Sequence, residues 1–294
     1  MAPIGQVTEA TGERDALARA TERALLVPDL LVEARRVANT VIAGWHGRRK
    51  RGPGETFWQF RPFSEGESEA RIDWRRSARD DQVYLRDREW EAAHTVWLWA
   101  DPSPSMRFQS NAGLVPKEGR ALVLMLAMAE VLARSGERVA FAGLTRPLAA
   151  RNAAERIARA ASRERPPLDV SAVRGPAEIV LASDFLGDTD DTLATINALA
   201  PRGVRGHLVE VADPAEETFP YAGRVEFRDP ESGERLTTGR AGDWAADYRA
   251  ARLARRTELR RAAIRAGWTH LVHRTDRPAS EALVALHTRL SGVA

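Results

Sequence analysis

The sequence predicts an α/β protein built on a mostly parallel sheet with helices on both faces. Three observations carry that expectation. Short, largely apolar runs of strand length recur, Thr95–Ala100 and Ala177–Ser183 among them. Stretches of helix length separate them. Two of the runs stop at an aspartate, Asp101 and Asp184. Strands buried on both faces read as continuous apolar runs, and strands alternating with helices form parallel sheets. Ligands of such sheets bind beyond the carboxyl ends of the strands, at a topological switch point. The two aspartates therefore mark the candidate site.

The elements follow in chain order. Residues 1–14 are small and polar. Between Asp15 and Trp45, Leu26, Leu30, Val37 and Val41 recur at helical spacing, and Pro28-Asp29 is a candidate start for a second helix, since proline is tolerated in a first turn. Residues 47–54, rich in glycine, arginine and lysine, read as a loop. Residues 55–95 are dense in Trp, Arg, Asp and Glu, with weak periodicity, and suit irregular structure with short strands. After the strand Thr95–Ala100, the stretch Glu118–Arg134 is a helix apolar nearly all round, closed by Ser135-Gly136. Such a helix has to be covered on most sides.

A strand is expected over Arg138–Leu144, a helix over Asn152–Ser162 and a proline-containing loop over Arg165–Pro176. The strand Ala177–Ser183 is followed by a helix, Asp188–Leu199, whose first turn carries the acids that a helix dipole favours. Then come a strand at Gly206–Val211, a hairpin within 223–240, a long arginine-rich helix at Gly242–Ala266, a strand at Thr269–His273 and a helix at Ala279–Leu290. The expected division is an N-terminal helical segment (1–46), a region packed on the core (47–94) and an α/β domain (95–294).

Composition narrows the function. A hydrophobic fraction of 44% over 294 residues is enough to fill a sizeable core. With 44 basic and 41 acidic residues, the net charge of +3 exerts no strong pull toward nucleic acid or a membrane surface. The chain has no cysteine, which excludes disulfides, thiolate zinc sites and cysteine nucleophiles. The longest apolar run, 121–129, is far short of the roughly 20 residues a membrane helix needs. The first residues, with Glu9, Glu13 and Asp15, lack a signal-peptide pattern. No membrane span and a cytoplasmic location are expected.

The chemistry centres on Asp101-Pro102-Ser103-Pro104-Ser105. A carboxylate with hydroxyls two and four residues later can curl three oxygens toward one point. Hard cations such as Mg²⁺ take oxygen ligands in near-octahedral geometry. Asp184 is the candidate further ligand, direct or through water, and a partner's carboxylate would fill the remaining position. The plainer reading is a capped turn at 101–105, with Asp184 capping the helix that follows.

The residues also resemble a known family. Asp-x-Ser-x-Ser at the end of the first core strand is similar to the metal-ion-dependent adhesion site of von Willebrand A domains. The stretches Gly54–Phe63, Arg71–Arg79 and Tyr84–Asp87, then Asp101–Met106 and Ala182–Phe185, resemble the signature of the bacterial "domain of unknown function 58" family. The resemblance implies a von Willebrand A-like, Rossmann-like fold. It also implies an adaptor without enzymatic activity, working with a MoxR-type AAA+ ATPase and other von Willebrand A-like proteins in protein maturation or chaperone-like assembly. Asp101, Ser103, Ser105 and Asp184 are then the metal residues, and Mg²⁺ or another divalent cation the cofactor. Two departures stand out. The adhesion-site pattern has a threonine on a second loop, and residues 165–176 hold none, leaving Asp169 or Ser171 as alternatives; the family's acidic pair before Ile72 is Glu67-Ser68.

Arg71, Asp73, Trp74 and Arg79, with Arg75 and Arg76, read as an ion-pair network or a partner-recognition surface, because guanidinium groups pair with carboxylates and stack on aromatic rings. Trp58, Trp74, Trp90, Trp97 and Trp99 are expected in the core. Two other functions compete. A hydrolase would use the Ser103/Ser105 loop, but no nucleophile elbow or phosphate loop accompanies it. A nucleic-acid binder would use Arg48–Arg51 and the arginine-rich helix, but no helix-turn-helix, zinc finger or RNA-binding signature accompanies them.

Overall fold

The computed structural model describes residues 25–43, 59–62, 72, 74–79, 82–87 and 94–290. The chain divides into two compact units, residues 45–93 and the remainder. In the smaller unit, β1 (Gln59–Pro62) and β2 (Tyr84–Asp87) pair antiparallel, with Phe60 opposite Arg86. Helix α2 (Trp74–Ser77) lies between them in sequence, and the hydroxyl of Ser77 accepts the Tyr84 N–H at 2.9 Å. Trp74, expected in the core, is 65% exposed, since a helix of four residues is too short to bury a face.

In the larger unit, α1 (25–43) runs unbroken through Pro28 instead of restarting there. Its buried stripe is Leu31, Ala34, Val37, Ala38 and Val41, one face at helical spacing; Leu26, expected on that stripe, is exposed. Five parallel strands then form the sheet: β3 (Thr95–Ala100), β4 (Arg138–Phe141), β5 (Ala177–Ser183), β6 (Val204–Ala212) and, at the far edge, a strand over Thr269–Arg274. Their spatial order is β4-β3-β5-β6 and then the last strand. Strand β5 is buried along its whole length, as a central strand covered on both faces must be.

Helix α3 (Lys117–Arg134) contacts β3, β4, β5 and β6, and is flanked by α4 (Ala153–Arg163) and by the C-terminal helix over Ala279–Leu290. That cover explains why all but a few of its residues are apolar. Helix α5 (Thr189–Leu199) packs on β6 and on the long helix over Ala245–Arg265. Asp188 caps α5 through the Asp190 N–H at 2.9 Å. Between β6 and that long helix lie the short α6 (Pro214–Thr218) and a hairpin of β7 (Val225–Arg228) and β8 (Arg235–Thr238). The remaining elements are thus α7 (Ala245–Arg265), β9 (Thr269–Arg274) and α8 (Ala279–Leu290).

Strand β4 is shorter than expected. Phe141 carbonyl accepts the N–H of both Leu144 and Thr145, and Thr145 Oγ1 accepts the Phe141 N–H, so the chain turns at 142–145. Trp97 and Trp99 are buried as expected, while Trp58 and Trp90 lie outside the described residues. The indole of Trp268 lies flush on Gly206: a Cβ there would come within 2.0 Å of the ring.

Candidate docking and metal site

The connectivity fixes where the site falls. From β3 the chain passes through α3 to β4 on one side; it then returns through α4 to β5 on the other side of β3. The order reverses between β3 and β5, which makes their carboxyl ends the switch point where parallel sheets bind ligands. Asp101 and Asp184 leave the sheet at these two ends. The N–H of Asp101 still donates to Ala182 carbonyl at 2.9 Å, so the loop starts tied to the neighbouring strand.

Two prolines then shape the loop. Pro104 opens a turn of 3-10 helix, Pro104–Arg107, which buries Ser105 and Met106. The Asp101 carboxylate folds back over it: Oδ1 accepts the Ser103 N–H at 2.8 Å, and Oδ2 accepts the Ser183 hydroxyl at 2.5 Å. Both donors are neutral. The hydroxyls of Ser103 and Ser105 lie 3.1 Å apart and hydrogen-bond each other. Two adjacent ligands of an octahedral Mg²⁺, each about 2.1 Å from the ion, stand about 3 Å apart, so this pair has the spacing of one octahedral edge. Asp101, Ser103 and Ser105 could therefore hold a hard divalent cation. Among the described residues, no group of three or more His, Cys, Asp or Glu is placed to do so. A cation here would rest on one carboxylate and two hydroxyls.

Asp184 is engaged differently. Its Oδ2 accepts the Lys117 ammonium at 2.7 Å and its Oδ1 the Leu186 N–H at 3.0 Å. Lys117 is fully buried and also binds Glu216 at the start of α6. Burial raises the Glu216 carboxyl above its ordinary range, with the charge of Lys117 opposing. Glu216 completes a capping box: Asp213 Oδ1 accepts the Ala215 N–H, and Glu216 Oε2 accepts the Asp213 N–H. The next residue, Phe185, sits at φ 50°, a left-handed conformation uncommon for a bulky side chain. Arg255 Nε, donating to its carbonyl at 2.7 Å, and Ser183 Oγ, accepting its N–H at 2.9 Å, hold that turn.

A second carboxylate reaches the loop from far along the chain. Glu231, in the turn between β7 and β8, accepts the Ser105 N–H at 2.9 Å. Behind this rim, α7 is anchored by Arg252 and Arg256, which bind Glu210 of β6 and Glu217 of α6. Burial would raise the Glu210 carboxyl, but hydrogen bonds from His270 and Arg256 and the charges of both arginines outweigh it and hold the group at about 2. Two arginines of the helix read as a nucleic-acid candidate are thus committed within the protein.

The structure brings Asp101, Ser103 and Ser105 together, and places Asp184 on a buried ammonium. Trp74 and Arg79 are both exposed in the smaller unit; Arg71, Asp73 and the basic run 48–51 lie outside the described residues. On the second loop, Asp169 Oδ1 accepts the Ser171 N–H at 2.8 Å, closing a local turn. Sequence reasoning missed Lys117, Ser183, Glu216 and Glu231. Lys117 had one legible signal: a lysine opening a helix that is apolar all round has to find a partner.

The fold and this rim define an α/β protein with a candidate binding site at a sheet switch point. The family described as "Protein of unknown function DUF58" matches residues 59–258, and the chain belongs to that family. Among solved structures it is similar to the conserved hypothetical protein BatB from Bacteroides thetaiotaomicron. That match has 12% identity and a TM-score of 0.39, over 68% of this chain and 99% of that one. It is also similar to an aerotolerance-related membrane protein from Bacteroides fragilis, with 15% identity and a TM-score of 0.42 over the same shares. No curated protein matches the chain. Among the described residues, no helix is long and apolar enough to cross a membrane.

Proposed function

We propose that the protein is a docking module without enzymatic activity, and that the loop Asp101–Ser105 receives a carboxylate from a partner protein. The observation that carries this reading is Glu231, a carboxylate from elsewhere in the chain seated on the Ser105 N–H at 2.9 Å. It supports a loop built to take an acid. A divalent cation held by Asp101, Ser103 and Ser105, in the manner of a von Willebrand A-like adhesion site, would strengthen that grip. The partner that the family resemblance points to is a MoxR-type AAA+ ATPase in the cytoplasm, with other von Willebrand A-like proteins in the same assembly. Against a hydrolase, the hydroxyls of Ser103 and Ser105 pair with each other and not with an imidazole base. The test is a binding assay with a co-encoded AAA+ ATPase, with and without Mg²⁺. Folded Asp101→Ala and Ser103→Ala variants are expected to lose partner binding; equal binding by both would refute the loop as the docking site.

A further inference from the structure

A cavity of about 440 Å³ opens beside the loop, between Ser105, Phe108 and Lys117 on one side and the β7–β8 hairpin on the other. Aromatic rings form its wall. Phe227 lies near-parallel to Phe219 and to Trp244, with centroids 5.8 and 6.1 Å away, and Tyr221 stands edge-on to Phe227 at 5.3 Å. Tyr248 adds a further ring, 4.8 Å from Phe219. Rings braced against one another in this way make a stiff wall, with little side-chain freedom left to lose when something binds.

The charges around that wall are mostly acidic. Glu216, Asp229 and Glu231 line the cavity together with Lys117 and Arg228. Behind the lining Asp184 binds Lys117 and Arg252 binds Glu216, one acid against one base, so the balance stays at three carboxylates to two bases. Asp229 and Glu231 take their hydrogen bonds from neutral donors, the Ser232 side chain and backbone N–H groups. The Tyr221 phenol lies above its ordinary value, through burial first and the charge of Asp213 next. At the inner end an ammonium already rests against a ring, Lys117 Nζ lying 5.7 Å from the Phe108 centroid.

We infer that this cavity is a socket for a cationic side chain, arginine or lysine, presented by a partner polypeptide. Aromatic faces attract a cation through their quadrupole, and a desolvated wall strengthens the attraction. The acids at the rim compensate the incoming charge. On the hairpin side of the cavity, away from the Ser105 N–H, a carboxylate would meet Asp229 and Glu231, and an aliphatic side chain would gain contact area alone. The inference is independent of a metal at Asp101.

The test uses the whole chain and capped tripeptides, acetyl-Gly-Xaa-Gly-amide, with Xaa arginine, lysine, leucine or glutamate, in metal-free buffer. The readout is the Trp244 indole signal in NMR, assigned with Trp244→Phe. The arginine and lysine peptides are expected to shift it saturably with a Kd on the order of 1–10 mM, and the other two are not. Glu231→Gln is expected to weaken the cationic peptides about threefold, and added salt to weaken them further. Equal shifts from leucine and arginine, or none from either cation up to about 50 mM, overturn the socket. A response to free spermidine without one to the peptides reassigns it to small amines. Because no AAA+ ATPase or metal is present, failure here leaves the docking reading of the loop standing.

Discussion

The ammonium of Lys117 lies 2.7 Å from Oδ2 of Asp184, and both side chains are shut away from water. A buried ion pair contributes little net stability against an apolar replacement, but removing one member strands the other. Here one lysine serves two acids, Asp184 and Glu216. Lys117→Met is expected to destabilise the protein by about 3–5 kcal/mol in urea unfolding. Adding Asp184→Asn and Glu216→Gln should recover most of that loss. A single-variant loss below about 1 kcal/mol would contradict the buried pairing.

Metal binding should separate the two aspartates. Asp101→Ala or Ser103→Ala is expected to abolish Mg²⁺ or Mn²⁺ heats in calorimetry. Asp184→Asn, whose carboxylate oxygens serve Lys117 and Leu186, should keep most of the affinity while losing stability. Equal loss of metal binding in the Asp101 and Asp184 variants would make both of them ligands.

Glu231 is exposed, so Glu231→Ala should leave stability within about 0.5 kcal/mol. The Ser105 amide, freed of its acceptor, is expected to exchange its hydrogen several-fold faster. Unchanged exchange would mean that the hairpin turn does not hold the loop in solution.

Gly206 meets the Trp268 ring where a Cβ would stand 2.0 Å away, and Trp268 donates to Val204 carbonyl at 3.0 Å. The indole therefore cannot yield cheaply. Gly206→Ala is expected to cost about 3 kcal/mol or more. Gly206→Ala with Trp268→Leu should be more stable than Gly206→Ala alone, as read from thermal melts.

Acid should loosen the fold in two stages. Burial, with the charge of Arg120 adding to it and Asp276 opposing, lowers His273 from 6.5 to about 4. As pH falls below 6.5 the unfolded chain takes up the proton first, so stability present above 6.5 is lost down to about 4, by at most roughly 3 kcal/mol. Glu210, lowered from 4.5 to about 2, removes more below 4.5, and the raised Glu216 carboxyl partly offsets it. His273→Gln should flatten the slope between pH 6.5 and 4 in unfolding titrations. An unchanged slope would exclude His273 as its source.

The sheet was legible because burial on both faces writes itself into β3 and β5 as unbroken apolar runs, and because Gly136 and Asp188 punctuate helices by their own chemistry. The aspartates at the strand ends were legible for the same reason: a charge can follow a buried strand only where the strand leaves the sheet. The partners of those aspartates were not. Lys117 and Asp184 lie 67 positions apart, and Asp101 and Ser183 82 apart; Ser105 and Glu231 are separated by 126. No local period relates such pairs. Exposure of Trp74 was missed because an indole signals core only when an element is long enough to cover it.

The reversal of strand order between β3 and β5 has a consequence for redesign. The stretch after β3 and the stretch after β5 both lie outside the sheet, and neither has to thread past a third strand to change length. The exposed turn at 111–113 is clear of the contacts that hold Asp184 and cap α5, so sequence of another length there leaves the winding of the strands as it is. A scaffold of this connectivity can vary its rim loops while its interior stays as it is.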